Sequence, residues 1–483
     1  MLSITTGRSR PDCDGIGRRD FLQIGTLGLG GLTLSQLLSA QAAAAAQGEQ
    51  YVRDKSVVLL YLSGGASHIE TFDPKMTAPD GIRSVTGEVK TSLPGVTFGG
   101  TFPQLATHAD KLAVIRSFTH GVGSHEQAHV HVLSGGTDPQ GRQADGFSMG
   151  SAFTRLRGTN HPVTGMPTYA LLTEKEIDGQ YRKELGRVIK GSWPGQLGQQ
   201  CGPLRHEIGW DTSDQNRSSN QTSNDNPLAA TMRLNMPRET FDNRLALLRS
   251  IDKLNRRLDA NGTMAAADEF SAQAVNLILG GAANAFNYQL EDPHLVERYD
   301  TSEIKIGFKV FRPSTLGKQM LVARRLCEAG CGFVTVTSPG WDMHGGGKEF
   351  TMAGGLASLT PAVDRAASAF IEDVNARGLS DNILLVITGE FGRTPRVNKN
   401  GGRDHWGNLC TLAFAGGGLR MGQVIGRSDR TGSRPAGDPI SSLNVLATIM
   451  HTLFDTGQVR LMTGIPKEVE RVITGSQPIR ELV

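Results

Sequence analysis

The sequence predicts an α/β fold in which a mostly parallel central sheet carries helices on both faces. Three observations lead to this prediction. Apolar runs of strand length recur along the chain, each run ends near a glycine turn, and amphipathic helical segments precede two of the runs. This alternation of strands and helices is typical of parallel sheets whose two faces are both covered. Ligands bind to such sheets beyond the carboxyl ends of the strands.

Four segments are predicted to form strands of this sheet. Each consists mainly of apolar residues and is followed within a few positions by glycine. Such runs are typical of strands that are buried on both faces and end in a turn. The predicted strands are residues 56–62, 333–337, 382–388 and 409–415.

Helical periodicity fills two of the intervals between these strands. Residues 315–329 precede the second predicted strand, and residues 353–377 precede the third. In the longer segment, apolar residues recur on one stripe, as expected for a helix that packs against a sheet. The stripe consists of Leu356, Leu359, Val363, Ala366, Ala367, Phe370 and Val374.

The interval at about 190–310 has a different character. Residues 196–227 are polar, and residues 213–226 contain no apolar side chain. Helical patterns follow at 238–258 and 265–279. We predict that this interval is an insertion or a small cap, with a surface loop, that joins two halves of one sheet.

The first fifty residues predict export. Two arginines, Arg18 and Arg19, precede a weakly apolar stretch at 24–38 that is diluted by glycine, and the alanines at 42–46 offer cleavage sites. This pattern is typical of a twin-arginine signal peptide and predicts a mature chain that starts near Gln47. An anchor that is never cleaved is the alternative, but a membrane-spanning helix needs about 20 predominantly apolar residues.

The predicted domain organisation follows from this signal. Residues 1–46 form the signal peptide, and residues 47–483 form the α/β domain. We expect the mature protein to be periplasmic or otherwise extracytoplasmic, and to have passed through the twin-arginine export machinery. We expect no stable membrane insertion once the signal has been cleaved.

The charge balance excludes one class of function. The chain has 50 basic and 47 acidic residues, which gives a formal net charge of +3. The two signs are intermixed, and no basic stripe with interleaved aromatic residues occurs. We therefore expect no nucleic-acid partner.

The five cysteines do not form a recognised metal or redox motif. Cys13 lies in the predicted signal, and Cys327 and Cys331 are four positions apart, unlike the pairs of zinc knuckles or thioredoxin-type sites. Twin-arginine substrates fold before export and need no disulfide. We expect Cys201, Cys410 and this pair to be buried free thiols.

Four clusters contain the side chains that could carry out chemistry. They are residues 63–74, 124–131, 340–347, and 388–395 with 402–407, and three of them follow predicted strands. Seven of the twelve histidines lie in or beside these clusters: His68, His120, His125, His129, His131, His344 and His405. Imidazoles and carboxylates without thiolates suit zinc, manganese or calcium better than copper(I) or an iron–sulfur cluster.

Residues 125–129 form the pattern H-E-x-x-H. On a helix, this spacing places His125 and His129 on one face with Glu126 beside them as a base, which is the arrangement of a zinc metallopeptidase. No nearby downstream residue completes a recognised motif for a third ligand. His131 adds an imidazole, but residues i and i+2 point apart on a helix. A zinc metallopeptidase is therefore one alternative function.

Several motifs together resemble those of the exported bacterial family known as domain of unknown function 1501. The motifs are Ser-Gly-Gly-x-Ser-His-Ile-Glu-Thr-Phe-Asp-Pro-Lys (63–75), Gly-Trp-Asp-x-His-Gly (340–345), Gly-Glu-Phe-Gly-Arg-Thr-Pro (389–395), Gly-Arg-Asp-His-Trp (402–406) and Gly-Gly-Gly-Leu-x-x-Gly-Gln-Val-Ile-Gly (416–426). The resemblance covers nearly the whole chain. That family is itself similar to the alkaline phosphatase and sulfatase superfamily. The resemblance implies an alkaline-phosphatase-like three-layer sandwich and a metal-dependent hydrolase of sulfate or phosphate esters.

The same resemblance implies metal ligands. Asp342 and His344 resemble the acid and the histidine that follow one strand of the sheet. Glu390 stands where an Asp-His pair is expected, with Phe391 in the place of the histidine. His405, together with Asp404, resembles the last histidine ligand. We also consider a centre in which His125 and His129 share one metal with these residues.

The resemblance and the expected chemistry also suggest catalytic residues. Residues 125–135 resemble the nucleophile helix, and Ser124 is then the nearest candidate nucleophile. Arg393 or Arg403 would bind the oxygen atoms of the ester through two parallel hydrogen bonds. The substrate would be a small-molecule or polysaccharide ester.

The chain departs from the superfamily pattern at two positions. The first strand lacks the aspartate that usually follows it and offers Ser63, His68 or Asp73 instead. Phe391 cannot bind a metal. Further alternatives are therefore a centre with a single metal and a centre with an altered metal pair. Another alternative is that the chain is a non-catalytic extracytoplasmic binding protein.

Overall fold

The structure is a computed structural model that describes residues 51–138, 146–175, 177–209, 282–347 and 350–483, together with residues 237, 239–240 and 243–244. The chain divides into two units, Met1–Val52 and Arg53–Val483. The predicted signal peptide and most of the predicted insertion lie outside the described residues. Among the described residues, no helix is long and apolar enough to cross a bilayer.

Fourteen strands occur in the described part of the chain. They are β1 (Ser56–Ser63), β2 (Glu88–Lys90), β3 (Thr97–Gly99), β4 (Leu112–Ile115), β5 (Tyr169–Glu174), β6 (Leu204–Ile208), β7 (Lys305–Ile306), β8 (Arg312–Pro313), β9 (Phe333–Pro339), β10 (Ile383–Thr388), β11 (Gly392–Arg393), β12 (His405–Trp406), β13 (Leu412–Gly416) and β14 (Gln423–Ile425).

Eight of these strands form one sheet, in the order β14-β4-β13-β10-β1-β9-β5-β6. All neighbouring pairs are parallel except those that involve β13, which is antiparallel to β10 and to β4. In the β10–β13 register, Thr388 at the end of β10 faces Leu412 at the start of β13. The segment that precedes β13 therefore lies at the same edge of the sheet as the segments that follow β9 and β10.

The predicted fold class and all four predicted strands are confirmed. The fourth strand begins at Leu412 and not at Leu409, because the backbone N–H of Cys410 donates to the carbonyl of Phe118 at 2.9 Å instead of joining the sheet. Its antiparallel direction is the one exception to the parallel arrangement. An apolar run has the same appearance in either direction, so the sequence did not predict this exception.

Ten α-helices are described. They are α1 (Pro103–Thr107), α2 (His125–Leu133), α3 (Met149–Arg157), α4 (Gly179–Gly191), α5 (Pro293–Tyr299), α6 (Leu316–Glu328), α7 (Met352–Ala376), α8 (Ser442–Leu453), α9 (Thr456–Leu461) and α10 (Lys467–Thr474). Short 3-10 helices lie at Ala109–Lys111, Gly195–Leu197, Gln199–Cys201, Ala282–Phe286 and Tyr288–Leu290.

Helices cover both faces of the sheet. Successive side chains of a strand point to opposite faces. On β1, Leu60 shares a core cluster with Met320 of α6 and Val363 of α7. The next residue, Tyr61, points to the other face and contacts His129 of α2 through its hydroxyl. The predicted helices at 315–329 and 353–377 are confirmed as α6 and α7.

The cysteines lie in the core, as the sequence predicts. Cys327, Cys331 and Cys410 are buried thiols, and Cys201 is also buried. Burial raises the pKa of Cys331 and of Cys410 to about 12, so both stay protonated at neutral pH. These thiols are packing residues, because only the thiolate acts as a nucleophile or metal ligand.

The buried carboxyl group of Glu174, at the end of β5, gives a prediction about pH and stability. It accepts from the N–H and the hydroxyl of Thr315 at 3.3 and 3.2 Å, and burial raises its pKa to about 7. Between the usual pKa of a glutamate and pH 7, the folded protein therefore binds more protons than the unfolded chain. The contribution of the Glu174 carboxyl to the free energy of unfolding therefore falls by about 3 kcal/mol as the pH rises through this window.

Glu174→Gln is expected to remove this part of the pH dependence. The measurement is the free energy of unfolding in denaturant at pH 5 and pH 8. Glu207→Gln, at an exposed position of the neighbouring strand β6, is the matched control and should behave as the wild type. Equal pH dependence in Glu174→Gln and wild type would contradict the prediction.

Candidate metal centre

Four segments meet at the carboxyl edge of the sheet and bring their polar side chains together. Asp342 and His344 follow β9, Glu390 follows β10, His405 lies in β12 before β13, and His125 begins α2. The antiparallel direction of β13 brings His405 to this edge. The edge is the place where α/β sheets bind ligands.

Glycine allows the turn after β1 to pack directly against the Asp342 loop. The N–H of Trp341 donates to the carbonyl of Ser63 at 3.1 Å. Gly64 has a φ of +110°, and a Cβ at this position would lie 2.4 Å from the backbone nitrogen of Asp342. A side chain at residue 64 would therefore push the Asp342 loop away from the turn.

Three imidazole nitrogens surround one carboxylate oxygen. The Oδ1 atom of Asp342 lies 3.3 Å from Nε2 of His125, 2.9 Å from Nε2 of His344 and 3.3 Å from Nε2 of His405. The Nε2 atoms of His344 and His405 lie 2.9 Å apart. All four groups can offer ligand atoms within 4.8 Å of one another. We refer to these four residues as the metal centre.

The charges of the metal centre are strongly coupled. Burial acts to raise the pKa of Asp342, but the imidazoles of His125, His344 and His405 and the Arg393 guanidinium bring it well below its usual range. Burial acts to lower the pKa of His125, but the carboxylates of Asp342 and Glu390 raise it to about 9. Burial lowers the pKa of His405. Asp342 is therefore an anion at neutral pH.

Partners outside the metal centre orient two of the imidazoles. Nδ1 of His344 lies 3.2 Å from Oδ1 of Asp404, and Nδ1 of His405 lies 3.0 Å from the carbonyl oxygen of Gly123. Metal-binding histidines usually contact such a partner through their second nitrogen, which fixes the tautomer. The Asp404 side chain is 60% exposed and touches His344 from outside. Asp404 thus orients the imidazole of His344.

This donor set fits a divalent cation. The Nε2 atom of His125 is buried and lies 3.3 Å from Oδ1 of Asp342, but it makes no hydrogen bond of normal geometry in the described part of the chain. Buried polar atoms of this kind require an explanation, and a bound ion is one. Three imidazoles with one carboxylate suit zinc best, while manganese and calcium prefer more oxygen ligands.

Glu390 lies on the inner side of the metal centre. Its carboxylate accepts from the N–H of Gly64 at 2.9 and 3.1 Å, and its Oε1 lies 2.8 Å from Nδ1 of His125. Burial acts to raise its pKa, but His129 and His125 lower it to about 2. The ring of Phe391 packs against the rings of His125 and His405, with centroid distances of 4.8 and 4.5 Å. Phe391 thus forms a wall of the centre.

Arg393 contacts the metal centre directly. Its guanidinium is fully buried, and Nη2 lies 2.5 Å from Oδ1 of Asp342. Nε donates to the carbonyl of Gly65 at 2.9 Å, and Nη1 donates to the carbonyl of Arg403 at 3.1 Å. Its N–H groups already have partners within the protein.

Arg403 is not brought to the metal centre. The guanidinium is fully buried, and its Nη2 donates to Oε1 of Glu70 at 2.7 Å and to the carbonyl of Ile82 at 3.0 Å. It also donates to the carbonyls of Thr394 and Pro395. The expectation that Arg403 binds ester oxygens is at odds with this placement, because its donors are directed at protein acceptors away from the centre.

Ser124 lies at the entrance to α2. It is exposed, directly precedes His125, and has an extended backbone with φ −107° and ψ 127°. Its hydroxyl does not cap the helix among the described residues. A free hydroxyl beside the metal centre is compatible with the predicted role as nucleophile, which stays a prediction.

The H-E-x-x-H segment is helical, but its glutamate points away from the histidines. His125 and His129 face Glu390, with nitrogens 2.8 and 3.4 Å from its Oε1. The Glu126 carboxylate is 58% exposed and pairs with Nε of Arg187 at 2.7 Å. His131 packs against His120 on another side of the helix. The base that a zinc peptidase needs is therefore absent from the imidazole face of α2.

Glu126→Gln provides a test of the peptidase alternative. Because an exposed ion pair contributes little, we expect metal content and ester hydrolysis to stay within about twofold of the wild type. Arg187→Gln removes the same ion pair from its other side and should give the same result. Loss of a general base typically costs about 10² to 10⁴ in rate. A loss of that size in peptide cleavage by Glu126→Gln alone would restore the peptidase interpretation.

The residues after the first strand have structural roles. Nε2 of His68 contacts the carbonyl oxygen of Gly432 at 2.8 Å. Asp73 pairs with Lys75 at 3.2 Å and lies 3.6 Å from Arg116. Neither side chain belongs to either possible metal-binding group of the described residues.

Sequence reasoning missed two groups that support the centre. The Tyr61 hydroxyl lies 3.2 Å from Nδ1 of His129, and the buried Glu184 accepts from the N–H of Gly340 at 2.7 Å. Tyr61 is the only hydroxyl-bearing side chain in the interior of the first apolar run, which was a usable signal. Glu184 lies on α4, far in sequence from the four clusters, and no local signal pointed to it.

This chain is similar to one described family and to several solved structures. Residues 54–483 match the family model described as "Protein of unknown function (DUF1501)". Similar solved structures include Ps i-CgsB, with 9% identity, TM-score 0.37, and coverage of 88% of this chain and 78% of that chain. The phosphonate monoester hydrolase SpPMH from Silicibacter pomeroyi has 12% identity, TM-score 0.34, and coverage of 88% and 78%. Alkaline phosphatase from the Antarctic bacterium TAB5 has 10% identity, TM-score 0.32, and coverage of 78% and 95%. No curated protein sequence matches this chain.

Proposed function

The chain belongs to the family described as protein of unknown function (DUF1501), and from that premise we propose that it is an exported, metal-dependent hydrolase of sulfate or phosphate esters. One observation carries this proposal. The Nε2 atoms of His125, His344 and His405 lie within 3.3 Å of Oδ1 of Asp342 at the carboxyl edge of the sheet. Imidazoles and a carboxylate that converge at this edge are the residues expected of a hydrolytic metal centre.

A divalent cation at this centre would act as a Lewis acid toward an ester oxygen. The protein provides one open side for the substrate. The side chains of His344 and His405 are 40% and 26% exposed, whereas His125 is buried behind them. An ester therefore approaches from the side of His344 and His405.

Two further residues have proposed roles on this side. The positive charge of Arg393, next to Asp342, attracts an anionic ester to the centre. The hydroxyl of Ser124, at the start of α2, attacks the phosphorus or sulfur atom and displaces the alcohol. Water then hydrolyses the ester formed on Ser124 and releases phosphate or sulfate.

The proposal includes a location. The twin-arginine pattern around Arg18 and Arg19 directs the chain to the export machinery, and the folded domain from about residue 47 acts in the periplasm or elsewhere outside the cytoplasm. Small-molecule or polysaccharide esters are the proposed substrates.

The test is an ester screen on purified protein. The protein is stripped with a chelator, reloaded with zinc, manganese or calcium, and assayed on 4-nitrophenyl sulfate, 4-nitrophenyl phosphate and a sulfated oligosaccharide. We expect hydrolysis of at least one ester that depends on the added metal and is lost in His405→Ala. His294→Ala, an exposed histidine on α5, is the matched control. A metal-loaded protein that hydrolyses none of these esters would contradict the proposal and favour a binding protein.

A further inference from the structure

The hairpin formed by β7 and β8 has an unusual composition. Residues 305–313 read Lys-Ile-Gly-Phe-Lys-Val-Phe-Arg-Pro, so every residue except one glycine is apolar or basic. No side chain of this segment carries an oxygen atom, and none offers a conventional hydrogen-bond acceptor. Loops on a protein surface are usually rich in polar and turn-forming residues instead. We refer to residues 305–313 as the basic hairpin.

The base of the basic hairpin is fixed to the protein, and the backbone of its loop is held in place. Ile306 and Pro313 are buried, and Ile306 belongs to the main core cluster. Oδ2 of Asp178 accepts from the backbone N–H groups of Lys309 and Val310, both at 2.8 Å. The side chains at the tip are therefore exposed by a defined backbone conformation.

Apolar side chains of the tip form an exposed patch. Val310 and Phe311 are 49% and 46% exposed. Of the eight large apolar side chains that are exposed in the described ranges, only these two are adjacent in sequence. The half-buried ring of Phe308 extends the patch and packs against the ring of Phe350, with a centroid distance of 3.8 Å. Single exposed apolar residues are common, but a contiguous patch marks an interaction surface.

Positive charge accompanies this patch. Lys309 and Arg312 are exposed, and no carboxylate of the described residues pairs with either of them. Nζ of Lys309 lies 5.7 Å from the centroid of the Phe308 ring. The tip of the basic hairpin thus presents apolar surface together with two cations that are available to an external anion.

The basic hairpin flanks the open side of the metal centre. The carbonyl of Phe350, which packs against Phe308, accepts from the N–H of Gly345 at 2.7 Å. Gly345 directly follows His344, one of the two exposed imidazoles of the centre. A surface that binds the basic hairpin would therefore lie next to this open side.

We propose that the basic hairpin docks reversibly on the surface of a bilayer that contains anionic lipids. Val310 and Phe311 enter the boundary between the headgroups and the acyl chains. Lys309 and Arg312 contact the lipid phosphates, since their long stems let the charged groups stay at the level of the headgroups. Docking of this kind is peripheral and needs no membrane-spanning helix.

A soluble polyanionic glycan is the competing partner. Sugar hydroxyls donate and accept hydrogen bonds, so a protein that positions them needs acceptors as well as donors. The side chains of the basic hairpin provide no such acceptor, and Val310 offers only apolar surface. A bilayer matches both parts of the tip, because it provides phosphate for the cations and hydrocarbon for the apolar side chains.

A tryptophan at the tip reports docking directly. Full-length Phe311→Trp is mixed with phosphatidylcholine vesicles, with or without phosphatidylglycerol, that carry a quencher on their acyl chains. The apolar residues 24–38 can also enter a bilayer, so the wild-type signal is subtracted and only the tip is observed. We expect the added fluorescence to be quenched by the vesicles that contain phosphatidylglycerol. Leu461→Trp, at an exposed leucine of α9, is the matched control and should not be quenched.

Titration of Phe311→Trp with vesicles measures the contribution of the cations. Each basic residue near an anionic bilayer strengthens binding about fivefold, so Lys309→Gln with Arg312→Gln should weaken it about 25-fold. Arg430→Gln with Lys467→Gln replaces two exposed basic residues elsewhere and should leave the titration unchanged. Added salt should weaken the binding, because it screens exposed charges. Circular dichroism verifies that each variant is folded.

Three results would overturn the docking. They are no quenching by either kind of vesicle, equal quenching with and without phosphatidylglycerol, and an unchanged titration in Lys309→Gln with Arg312→Gln. A tryptophan signal that responds to dextran sulfate but not to vesicles would assign the basic hairpin to a soluble polyanion instead. Docking needs neither a bound metal nor ester hydrolysis, so this inference and the proposed function can fail separately.

Discussion

Asp342→Asn is expected to lower kcat/KM for ester hydrolysis by about 10³-fold or more. The three imidazoles of the metal centre converge on Oδ1 of Asp342, and Arg393 contacts the same atom. Asparagine has the same size but no negative charge, so the variant should still fold while it loses the anionic ligand. Several kcal/mol of transition-state stabilisation depend on a bound metal, and each 1.36 kcal/mol is a factor of about ten in rate.

The matched control for this variant is Asp381→Asn. Asp381 is an exposed acid two residues before β10, at the opposite edge of the sheet, and we expect no change in rate. Both variants are assayed with the metal and the ester that give the highest wild-type rate. If Asp342→Asn retains more than about a tenth of the wild-type kcat/KM, less than about 1.4 kcal/mol of barrier depends on this carboxylate. The proposed centre would then be wrong.

Glu70→Gln is expected to reduce the free energy of unfolding by about 3 to 5 kcal/mol. The Glu70 carboxylate accepts from Nη2 of Arg403 at 2.7 Å, from the hydroxyl of Ser84 at 2.7 Å and from the N–H of Val85 at 3.0 Å. Both members of the ion pair are completely buried. Removing the negative charge leaves the buried guanidinium of Arg403 without a counter-charge. An uncompensated buried charge is the main reason why breaking a buried ion pair destabilises a protein.

Urea unfolding measures this effect. Glu88→Gln is the control, because Glu88 is an exposed glutamate on β2, and we expect a change of less than about 0.5 kcal/mol. The double variant Glu70→Gln with Arg403→Met should recover part of the loss, since it removes both buried charges. A loss of hydrolysis without a loss of stability in Arg403→Met would instead place Arg403 in the catalytic machinery.

Four of the eight strands of the central sheet could be predicted from the sequence. Strands β1, β9, β10 and β13 are buried on both faces, and such strands appear as continuous apolar runs. Strands β4 and β5 were not predicted, because neither apolar run is followed by a clear glycine turn. The direction of β13 could not be predicted either, although it determines that His405 lies beside Asp342.

The candidate site was predictable as a set of residues but not as a geometry. Acids and histidines after predicted strands indicated Asp342, His344, Glu390 and His405. The orientation of α2 against the sheet determines which side chains of the H-E-x-x-H pattern take part, and no local pattern encodes that orientation. The placement of Arg403 could not be predicted for a similar reason. Its partner Glu70 is distant in sequence, and the ion pair forms only in the folded protein.

Anomalous scattering from crystals grown with zinc, recorded at the zinc absorption edge, tests the metal centre most directly. The account predicts a peak about 2.0 to 2.2 Å from Nε2 of His125, His344 and His405 and from a carboxylate oxygen of Asp342. A map without a peak at Asp342, or with zinc bound only at other histidines such as His120 and His131, would contradict the account.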